Sequence, residues 1–303
     1  MRLFVPAETR DGERRVALVP DTVGKLAALG LDVTIESGAG AAAFATDADY
    51  VEVGATIVAT ADVADAFASA DVVATVRPLD PANAAKLKAG AVAMSFLQPN
   101  SDTETVAAIA SAGATALSFD LVPRISRAQS MDALTSQALV TGYRSTLVAA
   151  EALPKFFPLF MTAAGTIPPA KVLVLGAGVA GLQAIATAKR LGAVVSAYDV
   201  RAASADEVRS MGATFIELEL EALEAGGGYA REMTEERAAR QRELLTPYIT
   251  ASDVLITTAA VPGRQAPRLV TAAMLEGMKP GSVVVDLAAE TGGNVEGSVA
   301  GEE

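Results

Sequence analysis

The stretch KVLVLGAGVAGLQAIATAKRLGAVVSAYDVR, Lys171–Arg201, decides the fold of this chain. Val172–Leu175 is an apolar run of strand length, and GAGVAG follows it directly and opens a helical pattern. In such a turn Gly176 makes the tight reversal and Gly178 lets the backbone approach a pyrophosphate. Gly181 lets the helix pack closely on the strand, and the helix N–H groups, from Ala177, Val179 and Ala180 onward, face the anion. The next strand ends in AYDV, with Asp199 eighteen residues beyond Gly181. That is the place of the carboxylate that takes an adenosine ribose hydroxyl. A carboxylate there repels a 2′-phosphate, so NAD(H) is favoured over NADP(H), although Arg201, two residues on after Val200, weakens the preference. A bare G-x-G-x-x-G says little in a chain with 25 glycines, and a tight turn without a ligand has the same letters. Strand, glycines, helix and acid in register favour a dinucleotide.

Outward from this unit the pattern repeats. ADEVRSMGATFIEL reads as helix and strand, SDVLITTAA as a strand, TAAMLEGMKPG as a helix and SVVVDLAAE as a strand. Upstream, RLFVPAE, LDVTIES, ADVVATV, AVAMSFL and ATALSFDLV read as strands separated by Ala-rich helical segments, with Asp102 as an N-cap. Strand–helix alternation on short connections implies parallel βαβ units. The longest helical pattern, from Met131 to Pro154, carries Leu139, Tyr143, Leu147 and Val148 as an apolar stripe that must pack against something. The expected fold is therefore α/β, with two Rossmann-like doubly wound parallel-sheet domains joined by a long helix. The expected boundaries are 1–132 for the N-terminal domain, 133–165 for the linking helix and connector, and 166–303 for the nucleotide-binding domain.

Composition narrows the chemistry. A net charge of −12 disfavours nucleic acid and anionic membrane surfaces as direct partners. The chain has neither cysteine nor histidine, so disulfides, thiolate zinc sites and the commonest general base are excluded, and no metal site is expected. The opening MRLFVPAETRDGERRVALVP places charge where a signal peptide carries its apolar region, and no apolar run reaches the ~18 residues of a spanning helix. A cytoplasmic protein without membrane insertion is expected. A dehydrogenase acting on an alcohol or amine must also move a proton. Without histidine, a hydride acceptor that needs no proton fits better, and a second nicotinamide is one.

One segment stands out as polar between apolar runs: PRISRAQSMDALTSQ, Pro123–Gln137. On chemistry alone it reads equally as a helix start whose groups cap and pair locally, or as a functional loop. With RRVALVP, SFLQP, YDVR, GGGYAREM, SDVLITTAAVPG and MKPGSVVVDLAAETGGN it resembles, along essentially the whole chain, domain I of proton-translocating NAD(P)+ transhydrogenase, the NAD(H)-binding alpha subunit. The resemblance implies that Arg124, Gln129 and Asp132, with Thr135 where a serine is usual, lie beside the nicotinamide and position it for direct hydride transfer. It implies that Tyr229 in GGGYAREM, beyond three glycines suited to a hinge, folds over bound nucleotide. The glycine turn, Asp199, Val200 and Arg201 would hold the adenosine and pyrophosphate, and Thr258, Ala259, Ala260 and Gly263 would lie toward the ribose–nicotinamide end.

The resemblance further implies NADP(H) as co-substrate on a partner subunit, an NADP(H)-binding domain and a proton-moving membrane domain as partners, a homodimer, and a location peripheral to the inner membrane. It also implies some tens of residues beyond GGNVEGSVAGEE that return to the first domain, so the chain is expected to be shortened at its C-terminus. The related alanine dehydrogenases share both domains. Arg15 matches their substrate-carboxylate arginine, but Arg77 falls near their catalytic lysine and Gln98 near their catalytic histidine. An arginine does not deprotonate usefully and a glutamine carries no proton. Three readings therefore stand: a transhydrogenase subunit, a nucleotide-binding remnant without activity, and an amino-acid dehydrogenase.

Overall fold

The computed structural model describes residues 1–219, 234–260 and 264–303. They form two compact units, Met1–Leu134 and Thr135–Glu303, and each is described by itself. Among the described residues no helix is long and apolar enough to cross a membrane.

The first unit contains β1 (Arg2–Val5), α1 (Pro20–Ala28), β2 (Asp32–Glu36), α2 (Asp47–Glu52), β3 (Thr56–Val58), α3 (Val63–Ser69), β4 (Val72–Ala74), α4 (Pro81–Ala84), β5 (Val92–Ser95), α5 (Thr103–Ser111) and β6 (Thr115–Ser118). Its strands pair in parallel in the order β3-β2-β1-β4-β5-β6. Because strand side chains alternate faces, β1 feeds two cores. Phe4 meets Phe67 of α3 edge-on at 5.1 Å, while Leu3 and Val5 join Ile35 and Tyr50 on the opposite face. Asp102 caps α5 by accepting from the Thr105 N–H, and α1 starts on Pro20. The short edge strand β3 is not legible in the sequence: three residues within an Ala-rich segment give too little alternation to separate from helix.

The second unit begins on α6 (Ala133–Ala152), whose first two residues belong to the first unit. A hairpin follows, β7 (Phe160–Thr162) and β8 (Gly165–Ile167), and then the doubly wound core of β9 (Lys171–Leu175), α7 (Val179–Arg190), β10 (Val194–Tyr198), α8 (Ser204–Ser210), β11 (Thr214–Phe215), α9 (Glu235–Ala251), β12 (Val254–Thr257), α10 (Ala272–Glu276) and β13 (Val283–Asp286). Its parallel order is β11-β10-β9-β12-β13. The central strands β9 and β12 are apolar on both faces, as a sheet covered on both sides requires. Asp253 ties the start of this sheet down, accepting from Lys155 Nζ and the Lys171 N–H at 2.8 Å each. The hairpin straddles the expected boundary at 165, since β8 runs on to Ile167, and its Phe160 and Met161 face solvent.

The long helix packs differently from the stripe read in the sequence. Leu139 and Tyr143 are about half exposed, at 47% and 49%, whereas Gly142, Ser145, Thr146 and Ala149 are buried. Close approach decides this. A Cβ on Gly142 would stand 2.1 Å from the Ala180 carbonyl oxygen of α7, and Thr146 Oγ1 donates to the Ala184 carbonyl at 3.2 Å. Only small side chains fit so near another helix's backbone.

Gly142→Ala is therefore expected to cost about 2 kcal/mol, because the contact is with backbone that cannot swing away. In α1, Gly24→Ala meets only ordinary contact with Val53, at 3.5 Å, and is expected to gain roughly 0.5 kcal/mol through helix propensity and a stiffer unfolded chain. Urea unfolding of both variants checks the contrast.

Candidate functional site

In an open parallel sheet a crevice forms at the C-terminal strand ends where the strand order reverses. In the second unit this is between β9 and β12. Gly176, just past β9, has φ +104°, a conformation costly for any other residue. A Cβ there would stand 2.5 Å from Thr258 Oγ1, and that hydroxyl donates to the Gly176 carbonyl at 3.0 Å. On Gly181 a Cβ would stand 1.8 Å from the same carbonyl oxygen. Both glycines are demanded by the chain's own packing.

Gly178 is not. It caps α7 in ordinary extended backbone, with φ −77°, and a Cβ on it would meet nothing within 4 Å. Nothing among the described residues requires a glycine here. The open space lies at the head of a twelve-residue helix, beside Val179 and Ala180, where backbone N–H groups and the helix dipole favour an anion.

Asp199, past the end of β10, lines the same edge with a side chain only 8% exposed. One oxygen accepts from the Ala177 N–H at 2.7 Å, and the other from the Arg201 N–H and Nε at 2.8 and 2.9 Å. Arg201 Nη2 adds 3.0 Å to Asp199 and 3.2 Å to the Ala177 carbonyl. The arginine is thus clamped onto the acid and the glycine turn. Burial, and then the charge of Asp199, push the neighbouring Tyr198 hydroxyl up to about 12. Val200 packs toward the core around Tyr198 and Ile216. Past β12, Thr258 and Ala259 are half-buried and Ala260 is exposed. Thus Gly176, Ala177, Gly178, Val179, Ala180, Gly181, Asp199, Val200, Arg201, Thr258, Ala259 and Ala260 line the C-terminal edge of one sheet. Tyr229 and Gly263 lie outside the described residues.

The polar segment belongs mostly to the first unit. Ser126–Met131 forms a 3-10 turn around the buried Ala128, and the Asp132 N–H closes it onto the Gln129 carbonyl. Arg124 and Gln129 are exposed, Asp132 is half-buried just before α6, and Thr135 is the first residue of the second unit.

The first unit has its own switch point, between β1 and β4. Glu13, with a side chain 5% exposed, grips the Arg15 guanidinium through both oxygens at 2.7 and 2.6 Å. It also accepts from Arg77 Nε at 3.1 Å. Glu8 accepts the Val76 and Arg77 N–H groups, and burial raises its carboxyl above the usual range. The cleft left between Glu8, Thr75 and Arg77 has about 10 Å³ of free volume, room for one water. Gln98 sits in left-handed backbone, φ +49°, and its N–H donates to Asp120 at 2.8 Å.

Two side chains of the second crevice escaped the sequence reading. Asp286 at the end of β13 accepts from Thr257 Oγ1, Ser298 Oγ and the Ala288 and Val295 N–H groups. Asn294, fully buried, bonds to Ala259 and Pro267. An acid closing a strand, as in AYD, recurs in VVVD and was the available signal for the first. For Asn294 there was none, since its partners are backbone groups distant in sequence.

Comparison with known proteins adds four findings. Residues 4–141 match the family described as alanine dehydrogenase/PNT, N-terminal domain, and residues 145–303 match its C-terminal domain. The chain is 49% identical over 302 residues to the first portion of the NAD(P) transhydrogenase subunit alpha of Rhodospirillum rubrum, covering 97% of this chain and 78% of that protein. It is 32% identical over 301 residues to the alanine dehydrogenase of Mycobacterium tuberculosis, covering 98% and 75%. Among solved structures, a transhydrogenase from Sinorhizobium meliloti superimposes with a TM-score of 0.87 at 45% identity, over 100% of this chain and 82% of that one.

The Glu13 cluster gives a pH prediction. Its hydrogen bonds from Arg15 hold the Glu13 carboxyl down from an ordinary 4.5 to about 2. A folded-state value below the unfolded one contributes stability that is present above the ordinary value and lost as pH falls toward the folded one. Glu13→Gln is therefore expected to lose on the order of 2 kcal/mol near neutral pH. The gap between variant and wild type should close as pH drops from 4.5 toward 2, read from urea unfolding at a series of pH values.

Proposed function

Because the chain belongs to the alanine dehydrogenase/transhydrogenase (PNT) family, we propose that it is the NAD(H)-binding subunit of a proton-translocating NAD(P) transhydrogenase. Its NAD(H) exchanges hydride directly with NADP(H) on a partner component, and partner membrane subunits couple the transfer to proton movement. The observation that carries the nucleotide reading is Gly178, a glycine that neither its conformation nor packing among the described residues explains, open at the head of α7. The pyrophosphate lies there, against the Gly176–Gly181 backbone. Asp199 faces the adenosine, with Val200 beside it packed toward the core, and Thr258, Ala259, Ala260 and Gly263 lie toward the nicotinamide ribose, with Tyr229 folding over the nucleotide. With Arg201 clamped to Asp199 rather than presented to a 2′-phosphate, the site favours NAD(H) over NADP(H).

Amino-acid oxidation needs a group that takes a proton. Arg77 is paired with Glu13, and at Gln98, near which the resemblance to alanine dehydrogenases puts the proton carrier, the side chain carries no titratable proton. Transfer between two nicotinamides needs no such group. What it needs is placement of the reacting atoms at about 3–3.5 Å, and Arg124, Gln129, Asp132 and Thr135 supply it. The exposed Leu121, Ile125 and Met131 around them, at 65%, 54% and 54%, offer an apolar rim on which the NADP(H)-binding component docks. Two copies pair in the assembly, for which the exposed apolar side chains at Phe156, Leu159, Phe160 and Met161 are suited. The subunit is peripheral to the inner membrane, held there by its partners.

Two outcomes test this. Gly178→Ala should leave the unfolding midpoint unchanged yet weaken NADH binding by about tenfold or more, because the added methyl occupies the anion's approach. Gln129→Asn, assayed with the NADP(H)-binding component, should slow hydride transfer by about tenfold or more while NADH affinity changes by less than about twofold. Wild-type protein that binds NADH but transfers no hydride to an NADP+ analogue on the partner would leave only the nucleotide-binding remnant.

A further inference from the structure

Asn294 lies in the sequence far from every glycine-turn residue, yet its side chain is spent on the crevice. Its Oδ1 accepts from the Ala259 N–H at 2.9 Å, and its Nδ2 donates at 2.8 Å to the Ala259 carbonyl and at 2.8 Å to the Pro267 carbonyl. The reciprocal pair with Ala259 copies the bonding of a strand partner, at a point past β12 where the ladder has ended. An N–H on one side and two carbonyls on the other fix which way the amide points. The residue is fully buried, so each bond lost leaves a polar group without water.

The position of Asn294 is itself over-determined. The Leu269 and Val270 N–H groups both donate to its carbonyl, at 2.8 and 3.0 Å. The next residue, Val295, donates its N–H to Asp286 at 3.0 Å, and Asp286 also holds Thr257 at the end of β12. A rigid bracket therefore runs from β13 through Asn294 to the Ala259 peptide. On the other side of that peptide, Thr258 is fastened to the Gly176 carbonyl.

We propose that Asn294 is a positioning residue of the nucleotide site, setting the direction of the Ala259 peptide and with it the half of the crevice beyond β12. The proposal rests on the nucleotide reading above. In the sheet order, β12 and β10 flank β9 on opposite sides, so Ala259 and Asp199 serve different ends of the crevice, about 10 Å apart at the strand spacing. A residue that orients Ala259 should govern the nicotinamide half of a dinucleotide and leave the adenosine half alone. A residue that only stabilises the fold should affect both halves equally.

The test is calorimetric titration of the full chain with NADH and, separately, with AMP, which carries the adenosine half only. Asn294→Asp keeps the acceptor for the Ala259 N–H but sets an oxygen against two carbonyls. It is expected to weaken NADH binding by about tenfold while AMP affinity changes by less than about twofold. Equal losses for NADH and AMP, or no loss of either in a folded variant, overturn the proposal. Wild-type protein that binds neither nucleotide overturns it together with the nucleotide reading. If neither Asn294→Asp nor Asn294→Ala folds, amide exchange of the wild type decides. An Ala259 N–H protected by about a hundredfold or more without ligand supports the bracket, and exchange at open-loop rates sinks it.

Discussion

The first turn of α7 is held by two contacts that tolerate no side chain. From one side Gly181 presses onto the Gly176 carbonyl, and from the other Gly142 of α6 lies against the Ala180 carbonyl. A helix gripped in this way cannot slide along the sheet, so its N-terminus stays fixed at the end of β9. Thr258 closes the third side by bonding to the Gly176 carbonyl from the end of β12. The rest of the crevice follows from this. Asp199 can reach the Ala177 N–H only because the turn is that tight, and the open face at Gly178 exists only because its neighbours are clamped away from it.

The two sheets share a topology but treat their switch points in opposite ways. In the second unit, polar groups of the chain build walls around an open approach. In the first, the chain fills the equivalent place itself: Glu13 takes Arg15 and Arg77, Glu8 takes the backbone after β4, and the remaining space admits about one water. A buried carboxylate gripped by two guanidiniums holds its loop in place, and the cost of breaking such a pair exceeds its worth as a surface bridge. Family membership alone does not separate transhydrogenation from amino-acid oxidation, since relatives of both kinds match along the chain.

Much of the architecture was readable from the letters. Central strands such as VLVL and VLIT are continuous apolar runs, and each is bounded by a glycine or polar turn. What escaped reading was decided by partners remote in sequence. The three residues of β3 are a strand because β2 offers them an edge. The buried face of α6 is Gly142, Ser145, Thr146 and Ala149 rather than its larger apolar residues, because the backbone of α7 lies too close for anything bigger. Hydropathy cannot register a contact whose requirement is the lack of a side chain.

The sequence by itself determined the parallel α/β class and the dinucleotide turn with its acid, because these rest on local spacing: two-residue and 3.6-residue periods, and glycines in register with a strand end; the family rested on the resemblance of its motifs. The tertiary structure alone decided that Gly178 is the one glycine of the turn with open space before it, that Arg201 is bound to Asp199, and that Arg15 and Arg77 share Glu13. It also brought Asn294 to Ala259 across thirty-five residues. Those facts depend on which backbone groups lie within hydrogen-bond reach or contact distance after the sheets have closed, and no spacing along the chain encodes that.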